Sequence, residues 1–264
     1  MNPADKSEDA ATARLLVTCP DQPGIISAVS TFLYNHGANI TDLDQHSSDH
    51  QDGTFFLRLE FQTPGLDCSH EALENNFRNR VANRYGMQWH ISYAADKKRM
   101  AVLVSRHDHV IMDLLWRVSR GDLPAVIPMV ISNHDDLRGE VERFGIPYHH
   151  IPVTRDNKEE AEARALELLE GQVDVIVLAR YMQILSPTFV ARHPHRIINI
   201  HHSFLPAFVG ANPYQQAHDR GVKLIGATSH YVTEDLDQGP IIEQNVQRVS
   251  HRHSAAELRG LGQD

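Results

Sequence analysis

Residues 100–131 run MAVLVSRHDHVIMDLLWRVSRGDLPAVIPMVI. Met100–Val104 is apolar without alternation, Val110–Arg120 carries apolar residues at helical spacing, and Ala125–Ile131 is apolar again. Uniformly apolar strands separated by helices predict a parallel sheet covered on both faces. The rhythm continues downstream. Val173–Leu178 and Arg196–Ile200 are further buried strands, and Asp135–Phe144 and Glu159–Leu169 are helical stretches. The reading is a Rossmann-like, doubly wound α/β domain, whose ligands sit beyond the carboxyl ends of the strands near the switch in strand order. The loops after Val104, Ile131, Leu178 and Ile200 are therefore the places to look for chemistry.

Upstream the pattern differs. Residues 13–18 read as a short buried strand, and Pro20-Asp21-Gln22-Pro23-Gly24 is dense in turn formers. Ile25–His36 places Ile25, Val29, Phe32 and Leu33 on one helix face, with Gly37 where a left-handed C-terminal cap belongs. Asn39–His46 and Thr54–Phe61 flank a polar tip as a hairpin does. Ser69–Arg84 is helical and Gln88–Tyr93 returns as a strand. The order βαββαβ is that of a ferredoxin-like unit. Residues 94–99 are short and charged and mark a junction. The expected division is a disordered segment 1–11, a first domain 12–95 and a second domain 99–264.

Composition narrows the function. With 41% hydrophobic and 22% charged residues the chain is an ordinary globular one. No apolar run is long enough to span a bilayer and the polar start lacks a signal-peptide core, so the expectation is a cytoplasmic protein without membrane contact. Cys19 and Cys68 are too few for a disulfide framework and lack zinc-ligand spacing, and they read as ordinary buried or half-buried thiols. A net charge of −9 disfavours a nucleic-acid partner. Neither G-x-G-x-x-G nor a Walker motif follows the first strand of the second domain, where the chain reads Ser105-Arg106-His107-Asp108-His109.

Asn199-Ile200-His201-His202 places an amide and two imidazoles at a strand's carboxyl end. Ala227–Thr233 is another strand, and the loop after it carries Asp237, seven residues beyond His230. An amide, an imidazole and a carboxylate suit acyl-group chemistry. The first two stabilise an oxyanion, and the third holds the imidazole charged or accepts a proton from water. The same residue types also serve as turn caps and Asx turns, and residue types alone leave both readings open.

These residues carry a resemblance. Asn199-Ile200-His201 with Ser203 and Leu205-Pro206, His230, and Leu236-Asp237-Gln238-Gly239-Pro240 resemble the signature of the folate-dependent formyltransferases. Ile131-Ser132-Asn133, Phe144-Gly145-Ile146-Pro147 and Val177–Ser186 extend it over most of residues 99–253. His-His-Ser-Phe-Leu-Pro at 201–206, where relatives usually carry His-Pro-Ser-Leu-Leu-Pro, resembles the deformylase branch. Asp21–Ile25 and Asn35–Ile40 resemble the regulatory ACT domain that this branch carries.

The resemblance implies hydrolysis of 10-formyltetrahydrofolate to formate and tetrahydrofolate, without metal or nucleotide cofactor, in one-carbon metabolism that feeds purine biosynthesis. It implies Asn199, His201 and Asp237 as the catalytic trio. It places the folate against Arg180, Met182, Ile184 and Leu185 and against Val232, with His230 and His202 beside it. Met182, Ile184 and Leu185 otherwise read as core. In the first domain it implies an amino-acid effector at a subunit interface, touching Asp21, Gly24, Asn35 and Asn39, and hence a homo-oligomer. Turn and cap chemistry is the other reading of those four.

Two alternatives accompany it: formyl transfer to an amine acceptor, and a catalytically degenerate amino-acid sensor. Ser105–Met112 contains no glycine for a phosphate nest, which argues against a phosphorylated acceptor. Eight of the 18 histidines fall between His193 and His253, but spacing alone does not make a metal site. Finally, Leu258-Arg259-Gly260-Leu261-Gly262 holds too many glycines for a helix interior, and the chain reads as short at its C-terminus relative to the family.

Overall fold

The computed structural model describes residues 11–49, 53–201, 203, 205 and 213–262. The expected disordered segment 1–11 lies almost wholly outside the described residues, as do His202, Phe204 and Pro206. The chain divides into two compact units, Met1–Lys97 and Lys98–Asp264.

The first unit has strands β1 (Thr12–Pro20), β2 (Asn39–Ser47), β3 (Thr54–Gln62) and β4 (Gln88–Tyr93), and helices α1 (Ile25–Asn35) and α2 (His70–Phe77). The sheet is antiparallel in the order β2-β3-β1-β4, the ferredoxin-like arrangement. Alternation along β1 and β3 buries Leu15, Val17, Leu57, Leu59 and Phe61 on one face, where they meet Val29 and Leu33 of α1 and Leu73 and Phe77 of α2. The expected helix Ser69–Arg84 is present and continuous, but α2 widens into a π turn at Arg78–Ala82 before a last α turn at Asn83–Tyr85. That wide turn keeps both Phe77 and the pair Val81 and Ala82 buried.

The second unit is built on strands β5 (Lys98–Val104), β6 (Ala125–Val126), β7 (Val130–Ser132), β8 (Tyr148–His150), β9 (Val175–Ala179), β10 (Ile197–His201), β11 (Leu224–Tyr231) and β12 (Ile241–Arg248). Their order is β12-β11-β10-β9-β5-β7-β8, with β6 pairing β5. Pairing is parallel from β8 to β10 and antiparallel at β10–β11 and β11–β12. Helices α3 (His109–Arg120), α4 (Arg138–Glu142), α5 (Lys158–Leu169), α6 (Pro187–Arg192), α7 (Pro213–Asp219) and α8 (Ala255–Leu261) complete it. Met100–Val104 is buried throughout, with alternate residues entering two separate cores. The order reverses at β5 and β9, which places a crevice at their carboxyl ends.

Three expectations change. Ala125–Ile131 is two strands instead of one, with Pro128 between them, because proline supplies no ladder donor. Lys98 and Arg99 belong to β5 and not to the charged junction. Residues 255–261 are helical despite Gly260. A capping box holds that helix, with Ser254 Oγ accepting from Glu257 N and Glu257 accepting from Ser254 N. Leu258 is buried against Tyr214 and Ala217. Cap and packing outweigh the roughly 1 kcal/mol that an interior glycine costs.

Arg99 clamps β5 to the start of β9. Its guanidinium meets Asp174 at 2.8 Å and donates to the Gly171 carbonyl at 2.7 Å, while its backbone N–H donates to Asp174 at 2.8 Å. These hydrogen bonds hold the Asp174 carboxyl at about 2. A depressed folded-state value stabilises the fold above the unfolded carboxylate value of ~3.9 and loses that contribution as pH falls towards 2. Arg99→Ala should therefore lower stability at pH 6, by less than about 1 kcal/mol for so exposed a pair. Urea unfolding across a pH series should show the deficit shrinking below pH ~3.9.

Candidate active site

A cavity of about 590 Å³ lies within the second unit, lined by residues from the ends of β5, β9 and β10 and from the β11–β12 loop. Hydrogen bonding between β10 and β11 sets Asn199 directly across from His230. The ring of His230 is buried and fixed from both sides. Nδ1 lies 2.9 Å from the Tyr231 carbonyl, so it carries the hydrogen, and Nε2 accepts from Asn199 Nδ2 at 3.2 Å. The amide of Asn199 is thereby oriented in the cavity wall and does not cap a turn.

Asp237 closes the group. Its Oδ2 lies 3.4 Å from His201 Nδ1 and its Oδ1 lies 3.6 Å from His230 Nε2, with the carboxylate 9% exposed and the His201 side chain 8% exposed. One carboxylate thus faces two imidazoles. Asp237 has φ 56°, a left-handed conformation that non-glycine residues seldom adopt. The turn behind it needs Gly239, because a Cβ there would overlap the Tyr231 carbonyl oxygen. Backbone strain of this kind is held only where surrounding structure over-determines it, and it concentrates at functional sites.

The opposite wall is Arg180–Leu185. Arg180 also has a positive φ, 60°. The segment is pinned at both ends: Met182 N donates to Ser105 Oγ at 3.0 Å, and Ser186 N donates to Glu162 at 3.1 Å. Ser105 in turn donates to Asn133 Oδ1 at 2.6 Å, tying together the loops after β5, β7 and β9. Met182 and Ile184 are more than half exposed and line the cavity, while Leu185 packs on the core. Burial raises the Tyr181 hydroxyl to about 12. Burial also lowers His109, and the charges of Arg180 and His107 add to that.

Of the residues expected from the sequence, Asn199, His201, His230, Asp237, Arg180, Met182, Ile184, Leu185 and Val232 all line this cavity. His202 lies outside the described residues. The cavity also holds His107, His109, Tyr214 and Arg259, which no motif pointed to. Tyr214 and Arg259 arrive through α7 and α8, elements with no chemical signature of their own. In the first unit Asp21 and Gly24 precede α1, and Asn35 and Asn39 lie at its far end. Eleven residues of helix separate the two pairs by about 16 Å, so one copy does not gather all four around one small ligand.

Among the described residues one group could hold a metal ion: His36, Asp67 and Cys68 in the first unit. The 2.9 Å ion pair between His36 Nδ1 and Asp67 Oδ1 accounts for it. No helix among the described residues is long and apolar enough to cross a membrane.

Comparison with known proteins agrees with this organisation. The formyl transferase family model matches residues 98–263 and the ACT domain model matches residues 13–67. The chain is 54% identical over 259 residues to the formyltetrahydrofolate deformylase of Bacillus subtilis (strain 168), covering 98% of this chain and 85% of that one. The crystal structure of a formyltetrahydrofolate deformylase from Pseudomonas syringae pv. tomato DC3000 superposes with a TM-score of 0.90 at 49% identity, over 96% of this chain and 84% of that one. That of the Burkholderia mallei deformylase superposes with a TM-score of 0.87 at 42% identity, over 96% and 89%.

Ser105 is the hinge of the cavity's second wall, which yields a test. Ser105→Ala leaves Asn133 Oδ1 and Met182 N without their partner, a loss of about 1–3 kcal/mol. Thermal unfolding should show that loss, and weaker ligand binding to the cavity should accompany it as Met182 shifts.

Proposed function

The chain belongs to the formyltetrahydrofolate deformylases, an ACT domain followed by a formyl transferase domain, and from that premise we propose how its cavity hydrolyses 10-formyltetrahydrofolate to tetrahydrofolate and formate. The observation that carries the proposal is one carboxylate set between two imidazoles beside an oriented amide.

The folate lies along Arg180–Leu185 and the Val232–Asp237 loop, which brings its formyl carbon to Asn199, His201 and Asp237. Water attacks that carbon. Asp237 orients the water and takes its proton, and a carboxylate this enclosed acts at full strength because little solvent competes. The carbonyl oxygen becomes an oxyanion. Asn199 donates to it through Nδ2, and His201, with Nδ1 directed at Asp237, donates through Nε2. His230 positions Asn199 without touching the reacting atoms. When the tetrahedral adduct collapses, the C–N bond breaks and the departing nitrogen receives the proton that water gave up. The step uses water and these side chains alone and is redox-neutral.

Two features support water as the acceptor. The Ser105–Met112 segment has no glycine nest for a phosphorylated amine, and Ser105 is itself buried in the hydrogen bonds that hold Met182. The ACT domain belongs to a ligand-binding class, and we assign it an amino-acid effector. Because Asp21 and Gly24 sit at the opposite end of α1 from Asn35 and Asn39, an effector using all four draws them from more than one copy, in a homo-oligomer.

Formate release from 10-formyltetrahydrofolate without any amine tests the reading. Asn199→Ala should lower kcat about 100- to 1000-fold, the usual loss for one oxyanion donor. Asp237→Asn should lower it at least as far while folate binding persists. Unchanged turnover in either variant would sink the residue assignment.

A further inference from the structure

Formyl hydrolysis and formyl transfer differ in the charge of the one-carbon product. Transfer moves a neutral formyl group between nitrogens, whereas hydrolysis ends in a carboxylate, ionised at neutral pH. A hydrolytic cavity therefore has a use for a cation beside the reaction centre.

Arg180 is a cation in the wall of the same cavity. It follows directly on β9, whose Leu178 is paired with Asn199, so Arg180 lies two residues past that pair on one strand as His201 does on the other. Both residues line the same cavity. The Nε of Arg180 is buried and has no hydrogen-bond partner among the described residues. Among the described residues no ion pair compensates its charge. Burial lowers its proton affinity, nearby Arg259 lowers it further, and only Tyr214 acts in the opposite sense. The other ionisable groups lining the cavity are Tyr181, Glu234, Asp237, His107, His109, His201 and His230, and Asp237 faces the last two. A half-buried guanidinium in a left-handed backbone conformation, with no anion beside it, is costly to maintain. An anionic ligand removes that cost.

We infer that Arg180 is the formate-binding residue of this cavity, receiving the small carboxylate as it forms next to Asn199, His201 and Asp237. The inference rests on the hydrolase reading above. In the balanced step, water adds to the formyl carbon, the C–N bond breaks, the nitrogen takes one proton and the second leaves the nascent formic acid for solvent. The products are amine, formate and a proton. The guanidinium stays protonated throughout and binds the two carboxylate oxygens as a planar fork. Formyl transfer produces no such anion, so this residue suits hydrolysis specifically.

The test is formate inhibition of the full chain, read with sodium formate as the added product, together with ¹³C-formate binding by NMR to the enzyme saturated with tetrahydrofolate. Arg180→Gln should weaken formate binding by about tenfold or more, and the formate constant should move further than KM for the folate. Arg180→Lys, which keeps the charge without the fork, should restore part of the loss. Circular dichroism checks that both variants fold. An unchanged formate constant in Arg180→Gln would overturn the inference. So would a rise in KM that disappears when the substrate lacks its glutamate tail, because Arg180 would then serve the tail carboxylates. If the parent chain bound formate but released none, the hydrolase reading would fail while the anion site stood.

Discussion

The carboxylate of Asp237 is the constraint on which the catalytic half of this molecule is organised. It stands 3.4 Å from one imidazole and 3.6 Å from another, and neither distance is set by local sequence. Antiparallel pairing of β10 and β11 brings Asn199 opposite His230. The loop between β11 and β12 then folds back so that its carboxylate meets both rings. For this the chain holds Asp237 in a left-handed conformation and keeps Gly239 against the Tyr231 carbonyl. The antiparallel end of an otherwise parallel sheet thus assembles this group of side chains. A parallel neighbour would have needed a long crossover and could not have returned a loop to its own strand so soon.

The facing wall answers to a different constraint, which is the satisfaction of buried polar groups. Ser105, Asn133 and Met182 come from three loops and share one chain of hydrogen bonds. Glu162, on α5, receives the N–H of Ser186 and is itself paired with Lys158. These bonds tether Arg180–Leu185 along the core, with Tyr181 and Leu185 packed on it and Met182 and Ile184 facing the cavity. The amide and the imidazoles sit on paired strands, Asp237 on the loop that folds back onto them, and the adaptable apolar contacts on a tethered loop. This division suits a site that must fix a reacting carbon precisely while accommodating a flat heterocycle.

Much of this was legible in the residues. Periodicity separated the two units and their sheets, since alternation along β1 and β3 and unbroken apolar runs at β5 and β9 reflect one buried face and two. Where the structure departs from the reading, packing overrules propensity at the π turn of Arg78–Ala82 and in the helix through Gly260, whereas the break at Pro128 follows from proline's missing ladder donor. The four residues singled out near α1 come from two segments, Asp21–Ile25 and Asn35–Ile40, and helix length sets the two pairs apart within one copy.

The sequence alone determined the two-unit division, the alternation of strands and helices and the family, because those are properties of residue type, spacing and pattern. Tertiary structure alone decided that Asn199 answers to His230, that Asp237 stands between two imidazoles, and that Arg180 is half-buried without a counter-ion among the described residues. It also brought Tyr214 and Arg259 to a cavity whose other walls lie tens of residues away in the chain. The physical reason is that charge and hydrogen-bond energies depend on distance, direction and exclusion of water, and for residues far apart in sequence only the folded packing fixes all three.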